Sequence, residues 1–425
     1  MNLKRSFVLF VSLLFLNLLS AEGKILAIED AVRLAKENNI SVKTAENDLD
    51  SLAVQNKYSW NSVSPAAKLN GNFEDDIEND STAFSLSGAV NLSLKTNLYS
   101  EIKGAKLNYE KGLLTYSEAV RQIELSVRKK FYNLIYQKEN LVLQNRSLET
   151  SRVQYLNNEE KFKNGKISEL DAFTSRVNYE SKKPVVESAE INFQNDLASF
   201  KQLLGIPQET EIALDGSLDD FLNLKEISFG LLPKVDEPAP DVKSAEYDVE
   251  IAKNSLLNLR FSAYAPVITG SYSYGKSKKS MQDDWMTTNQ LSVGVSVPLD
   301  GILPWSSSAV KIKEQKNELD TAEKVLEDAK TTVAVQTESY IRKINQAVKQ
   351  LDSLKSTEKL AEQTYKMTLA AYNYGKTDFL SLQNANDSVL SAGVNLKSQA
   401  YTLISAILDL ESVLGLEFGT LETKK

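Results

Sequence analysis

The residues best equipped for chemistry in this 425-residue chain are its carboxylates, because the sequence holds 57 Asp and Glu but no Cys and no His. That composition removes disulfides, thiolate and imidazole metal sites, and every catalytic constellation built on His or Cys. Two chemistries stay open to carboxylates alone. Paired acids can cleave glycosidic bonds, yet nearly all the acids fall on long helical stretches at solvent-type spacing, with no pocket-forming α/β pattern around them. The other is a hard cation in the acidic loop EDDIENDS at 74–81, but this loop lacks the ordered spacing and the Gly of a calcium loop. It reads as a solvated exterior loop. Neither an enzyme nor a cofactor is expected, and a formal charge of −8 argues against a nucleic-acid partner bound through a basic face.

The elements that carry these residues begin after residue 21. Lys4 and Arg5 precede an apolar run from Phe7 to Leu19, followed by Ser20 and Ala21, which is signal-peptide layout. The run is shorter than the ~20 residues of a spanning helix, and the mature chain is expected to start near Glu22. No later apolar stretch approaches spanning length, so a bilayer crossing would have to be made by strands.

The rest of the chain is written twice. SVKTAENDL at 41–49 returns as DVKSAEYDV at 241–249, Pro65 as Pro266, SLSGAVNLSL at 85–94 as QLSVGVSVPL at 290–299, FKNGK at 162–166 as YNYGK at 372–376, and LLG at 203–205 as VLG at 413–415. Each copy reads helix, strand, strand, long helix, tight turn, helix. In the first, a helix over 28–58 leads to strands at 66–73 and 84–94, a helix over 99–163, a turn at Asn164-Gly165 and a return over 168–204. Gly205 with Pro207 beyond it is a helix stop, and Pro184 should kink the returning helix or mark its passage between packing layers. The resulting divisions are a signal at 1–21, repeats at 22–205 and 241–415, an irregular connector at 206–240, and a tail at 416–425.

In the second strand of each copy, Phe84, Leu86, Val90, Leu92 and Leu94, or Leu291, Val293, Val295, Val297 and Leu299, alternate with small polar residues. A soluble sheet with one face on a core fits this pattern, and so does a membrane strand of 9 to 11 residues. Four strands cannot close a barrel, which needs about eight or more, so a spanning reading requires several chains to share one. The long helices carry unbroken heptads, from Leu113 through Val120, Val127, Leu134, Leu141, Leu148 and Tyr155 to Phe162, and from Ile312 to Ala361. Each would be about 100 Å long at 1.5 Å per residue.

These units, and especially AYNYGKTDFLSLQNANDSV at 371–389 with its echo KFKNGKISELDAFTSRVNY at 161–179, resemble the TolC-like outer-membrane efflux proteins. The family's Asn-Asn-Pro appears here as Asn38-Asn39-Ile40, while the second copy keeps Pro240. The resemblance implies a mainly α fold with a small β part. Three chains would share a twelve-stranded barrel in the outer membrane and a twelve-helix α-barrel across the periplasm. It also implies a periplasmic adaptor and an inner-membrane transporter as partners, contact with outer-membrane lipid, and passive export of drugs, small molecules or polypeptides. A soluble periplasmic adaptor or structural coiled coil is the competing reading. Matched at the turn glycines Gly165 and Gly375, Tyr372 and Asp171 stand at the family's gate tyrosine and aspartate. Thr377 occupies the usual arginine position, and Ser381 and Asn384 the acidic-ring positions, so a salt-bridged latch and cation block are not expected. Lys376 or Lys166 would be the substitute cation at the closed tip.

Overall fold

The computed structural model describes residues 24–76, 81–222, 224, 238–279 and 283–421; the expected signal segment, residues 77–80 of the acidic loop and much of the connector lie outside them. The chain forms two compact units. One takes the described residues up to Lys43, those within Glu118–Glu237, and those from Ala334 on; the other takes Thr44–Ser117 and Pro238–Val333. Neither coincides with a sequence repeat, since each is assembled from one part of both.

The elements follow the expected order. β1 (Lys24–Leu26) and α1 (Ile28–Asn38) precede α2 (Ile40–Lys57), β2 (Ala66–Asp76), β3 (Ser81–Lys95), α3 (Leu98–Lys163), α4 (Glu169–Leu204) and β4 (Ile212–Leu214). Then come α5 (Pro240–Tyr264), β5 (Val267–Lys278), β6 (Met286–Ser296), α6 (Ser307–Asn373) and α7 (Phe379–Leu414). Pro184 lies inside α4 without ending it. Ser64 and Ala265, each just before a proline, are extended, as the proline ring demands of its predecessor, and both hairpins start there.

Two features depart from the sequence reading. The helix expected over 28–58 breaks at Asn39, whose backbone is extended. Its buried amide accepts from the Ser41 N–H (2.8 Å) and donates to the Leu203 carbonyl (2.8 Å), capping α2 and tying it to the end of α4. The connector is not wholly irregular either, because β4 pairs in parallel with β1, Leu26 facing Leu214.

The core of the first unit is built mid-helix. Leu125, Val127, Phe131, Leu134 and Ile135 of α3 meet Ile341, Ile344, Ala347 and Leu351 of α6 and Leu403, Ile404 and Ile407 of α7, with Phe200, Leu204, Leu214 and Leu218 closing it. Of the first heptad stripe, Val127 and Leu134 are fully buried, while Leu113 and Phe162 toward its ends are exposed. The apolar seam is therefore solid only at its centre. At one margin, the buried Glu411 of α7 accepts from the backbone N–H groups of Gly419 (3.0 Å) and Leu421 (2.7 Å). Arg121 donates to the carbonyls of Glu411 and Leu416, and the Phe418 ring lies against Arg121 and Arg128. The first residues of the expected C-terminal tail are thus folded back, as far as Leu421.

Candidate functional site

Two surfaces carry functional geometry, one in each unit. In the second unit, β2, β3, β5 and β6 form one antiparallel sheet in that order. Residues opposed across an antiparallel pair share a face, so the register sorts the alternation. Ala67, Val90, Tyr272 and Leu291 form one row across the sheet, followed by Leu92, Gly270 and Val293, then Leu94, Ile268 and Val295. The other face holds Asn91, Ser271 and Ser292, and beside them Ala89, Ser273 and Gln290. The apolar face is bare: Leu69, Phe73, Val90, Leu291 and Val295 are exposed, and Val293 is 77% exposed. Aromatic residues bracket it, with Phe84 edge-on to Trp285 at 5.6 Å near the hairpin ends. Trp60 and Trp305 lie exposed where the chain enters β2 and after it leaves β6. In water, such a face with open edges at β2 and β6 would favour association.

In the first unit, the candidate residues gather at two helix turns. α3 is followed by Gly165 at φ +67 and α6 by Gly375 at φ +69, the left-handed conformation that glycine adopts without steric cost. The bonding is the same in both. Gly165 N–H donates to the Phe162 carbonyl and Lys166 N–H to Lys161, while Gly375 donates to Tyr372 and Lys376 to Ala371, the double closure of a Schellman cap. The following helices are capped with the roles exchanged. Ser168 Oγ accepts from the Asp171 N–H (3.1 Å) and donates to Asp171 Oδ2 (2.8 Å), whereas Asp378 Oδ1 accepts from the Ser381 N–H (2.7 Å). Hydrogen bonds from the Ser381 side chain and backbone hold the Asp378 carboxyl below its usual range. Asp171 and Ser381 are therefore capping partners, the local reason for a polar residue three places past each cap.

Tyr372 points between the hairpins. Its hydroxyl donates to Asn158 Oδ1 at 2.6 Å, its ring meets Phe379 at 6.0 Å, and Lys161 Nζ sits 4.5 Å from the ring centroid. Burial pushes the phenol above its ordinary range; the Asn158 bond opposes this and the Asp171 charge adds to it. Tyr372 stays a neutral donor. Lys161 is the cation that sequence reasoning passed over, since Lys376 is exposed beyond the turn. Thr377 is half-buried, and the exposed Asn384 accepts at its carbonyl from Ser388 Oγ.

Above Tyr372 the contact between hairpins is polar. Ser147, Ser151, Gln154 and Asn158 are all buried along α3. Lys182 of α4 donates to Ser147 Oγ (2.9 Å) and Asp387 Oδ1 (2.8 Å), and Asn386 Nδ2 donates to Ser147 Oγ (3.3 Å). Neutral side-chain hydrogen bonds net about 0.5–1.5 kcal/mol each and those to a charged group about 1.5–3 kcal/mol, so this end of the hairpin pair is held by polar contacts centred on Lys182. Lys182→Met should lower the temperature at which the α3–α4 and α6–α7 tips become protease-sensitive by several degrees, leaving helix content below that point unchanged; circular dichroism with timed proteolysis reads both.

Residues 231–416 match the family model described as Outer membrane efflux protein. No curated protein matches the chain in sequence. Among solved structures, the CmeC outer membrane channel of Campylobacter jejuni is similar at 18% identity, with 91% of this chain and 85% of that one covered and a TM-score of 0.77. The outer membrane protein VceC of Vibrio cholerae matches at 13% identity over 91% and 96% of the two chains, with a TM-score of 0.72. The open-state MtrE outer membrane channel of Neisseria gonorrhoeae matches at 18% over 92% and 89%, with a TM-score of 0.70. At such identities the likeness is one of fold, and it extends over both repeats where the family model covers the second.

Proposed function

With the outer membrane efflux domain at residues 231–416 as premise, we propose that this protein is the outer-membrane channel of a tripartite efflux or type I secretion system. Three chains share a twelve-stranded barrel through the open edges of β2 and β6. Their helical hairpins continue it as a periplasmic α-barrel, and a periplasmic adaptor and an inner-membrane transporter complete the export path. Transport through it is passive. In this reading 22–205 and 241–415 are the two efflux repeats, joined by 206–240. The observation that carries the proposal is the four-stranded sheet, with an apolar face that, among the described residues, no element of its unit covers and a polar face of small residues suited to lining water. Imaging of the detergent-purified full-length protein tests it: a threefold tube with a micelle at the strand end is expected, and recovery as a soluble periplasmic monomer overturns it in favour of an adaptor.

The hairpin turns are the proposed gate. Closure rests on Tyr372 with Asn158 and Lys161, on Asp171 through its cap, and on the turn glycines Gly165 and Gly375, while Lys376, Thr377, Ser381 and Asn384 line the tip without an ionic latch. Tyr372→Phe deletes the bond to Asn158, about 1 kcal/mol, and should raise the open fraction in planar bilayers roughly five-fold at unchanged single-channel conductance. Asp171→Ala should produce a smaller rise. Unchanged opening in both removes these residues from the gate.

A further inference from the structure

The apolar face of the sheet changes character at its hairpin end. Register places Phe73 against Phe84 and Phe84 against Lys278, and in the next row Gly71, Leu86, Lys276 and Thr287. Lys276 and Lys278 therefore share a face with Tyr272 and Tyr274 rather than with the polar residues between them. Lys278 Nζ lies 5.5 Å from the Trp285 ring centroid, and Trp285 in turn packs against Phe84. Among the described residues neither lysine has an ion-pair partner. The nearest acids by register and sequence are Asp75, on the same face of the edge strand β2, and Asp283 and Asp284 in the hairpin loop. Two ammonium groups at the end of a bare apolar face, in a chain of net negative charge, are placed to take a counter-ion that arrives with an apolar phase.

We propose that Lys276 and Lys278, backed by Trp285, bind the phosphate of a membrane lipid headgroup at the rim of the sheet. This rests on the reading that the apolar face meets lipid. The chemistry is that of a long side chain whose methylene stem lies along apolar surface while its amine reaches the interface, beside a tryptophan of the kind enriched at that level. A phosphomonoester offers two charges and several acceptors to a pair of ammonium donors. A zwitterionic headgroup offers little net charge.

The full-length protein, purified in mild detergent, is incubated with diphosphorylated lipid A, with phosphatidylcholine, or with inorganic phosphate, and bound lipid is counted by native mass spectrometry. Wild type should retain the diphosphorylated lipid roughly thirty-fold better than the K276Q/K278Q double variant, given about 1 kcal/mol for each of the two basic residues near an anionic surface. Lys276→Arg with Lys278→Arg should restore retention, and Lys68→Gln on the opposite face should not change it. Displacement by millimolar inorganic phosphate would instead make this a free-anion site, and equal retention by wild type and double variant would overturn the inference. A wild type absent from membranes would defeat the channel reading itself, whereas a membrane-inserted, conducting double variant with undiminished retention defeats the headgroup site alone.

Discussion

If the apolar face of the sheet meets lipid as proposed, Val293→Arg should remove the protein from the outer membrane, while Ser292→Arg one residue away should leave it assembled. The two side chains lie on opposite faces of β6, Val293 in the row with Leu92 and Gly270 and Ser292 in the row with Asn91 and Ser271. An arginine near the mid-depth of a spanning strand costs about 2–4 kcal/mol, and a trimer would bear that cost three times. On the polar face, an arginine would stand in water and alter ion selectivity instead. Membrane fractionation with a trimer-retention gel separates the outcomes. Normal assembly of Val293→Arg together with loss of Ser292→Arg would mean that the faces are assigned the wrong way round.

The second large effect belongs to Glu411. Glu411→Leu strands the buried Leu421 N–H, at about 1–3 kcal/mol for a buried donor left unmade, removes the partner of the part-buried Gly419 N–H, and takes a negative charge from beside Arg121 and Arg128. The segment should detach rather than stay buried unpaired, so cleavage within 416–421 should accelerate at least ten-fold in limited proteolysis. Glu411→Gln, which keeps an acceptor oxygen, should fall between. Burial raises the Glu411 carboxyl above its ordinary range despite opposing bonds from Leu421 and Gly419 and the nearby arginines. The folded state then binds this proton more tightly than the unfolded chain. The stability it contributes is present below the ordinary glutamate range and lost as pH rises through the folded value. The difference in melting between wild type and Glu411→Gln from pH 4 to 8 should fall as pH rises, since the remaining carboxyls are common to both.

The hairpins and turns were legible because their signals are local. Alternation placed strands at 66–73 and 84–94 where β2 and β3 run slightly longer, and Gly205 and Gly415 end helices as expected. What escaped was polarity turned inward. Ser147, Ser151, Gln154 and Asn158 look like a solvent stripe, and only the facing Lys182, Asn386 and Tyr372, drawn from three other helices, make them interior. Lys138 likewise donates to the Leu214 carbonyl. The break at Asn39 depends on Leu203, 164 residues away, and the β1–β4 pair rests on segments of three residues each, too short for any period. At the tip, Gly165 and Gly375 could be read from the turn itself. Placing Tyr372 needed the family likeness, and Lys161 lies one helix away from the ring it covers.

The pairing of β3 with β5 also bears on how the chain is made. Phe84 finds Lys278 and Lys95 finds Val267, so the inner seam of the sheet waits for a segment about 170 to 190 residues downstream. Such non-local pairing is slow, because loop closure precedes its reward. During synthesis and export the β2–β3 hairpin exists for a long interval with its apolar face bare and an edge unpaired, the state most prone to wrong association. If the chain is exported as the channel proposed above, one truncated before Val267 should therefore be a substrate for periplasmic holdases and proteases rather than a half-channel, with the quality-control load on the first hairpin, not the second.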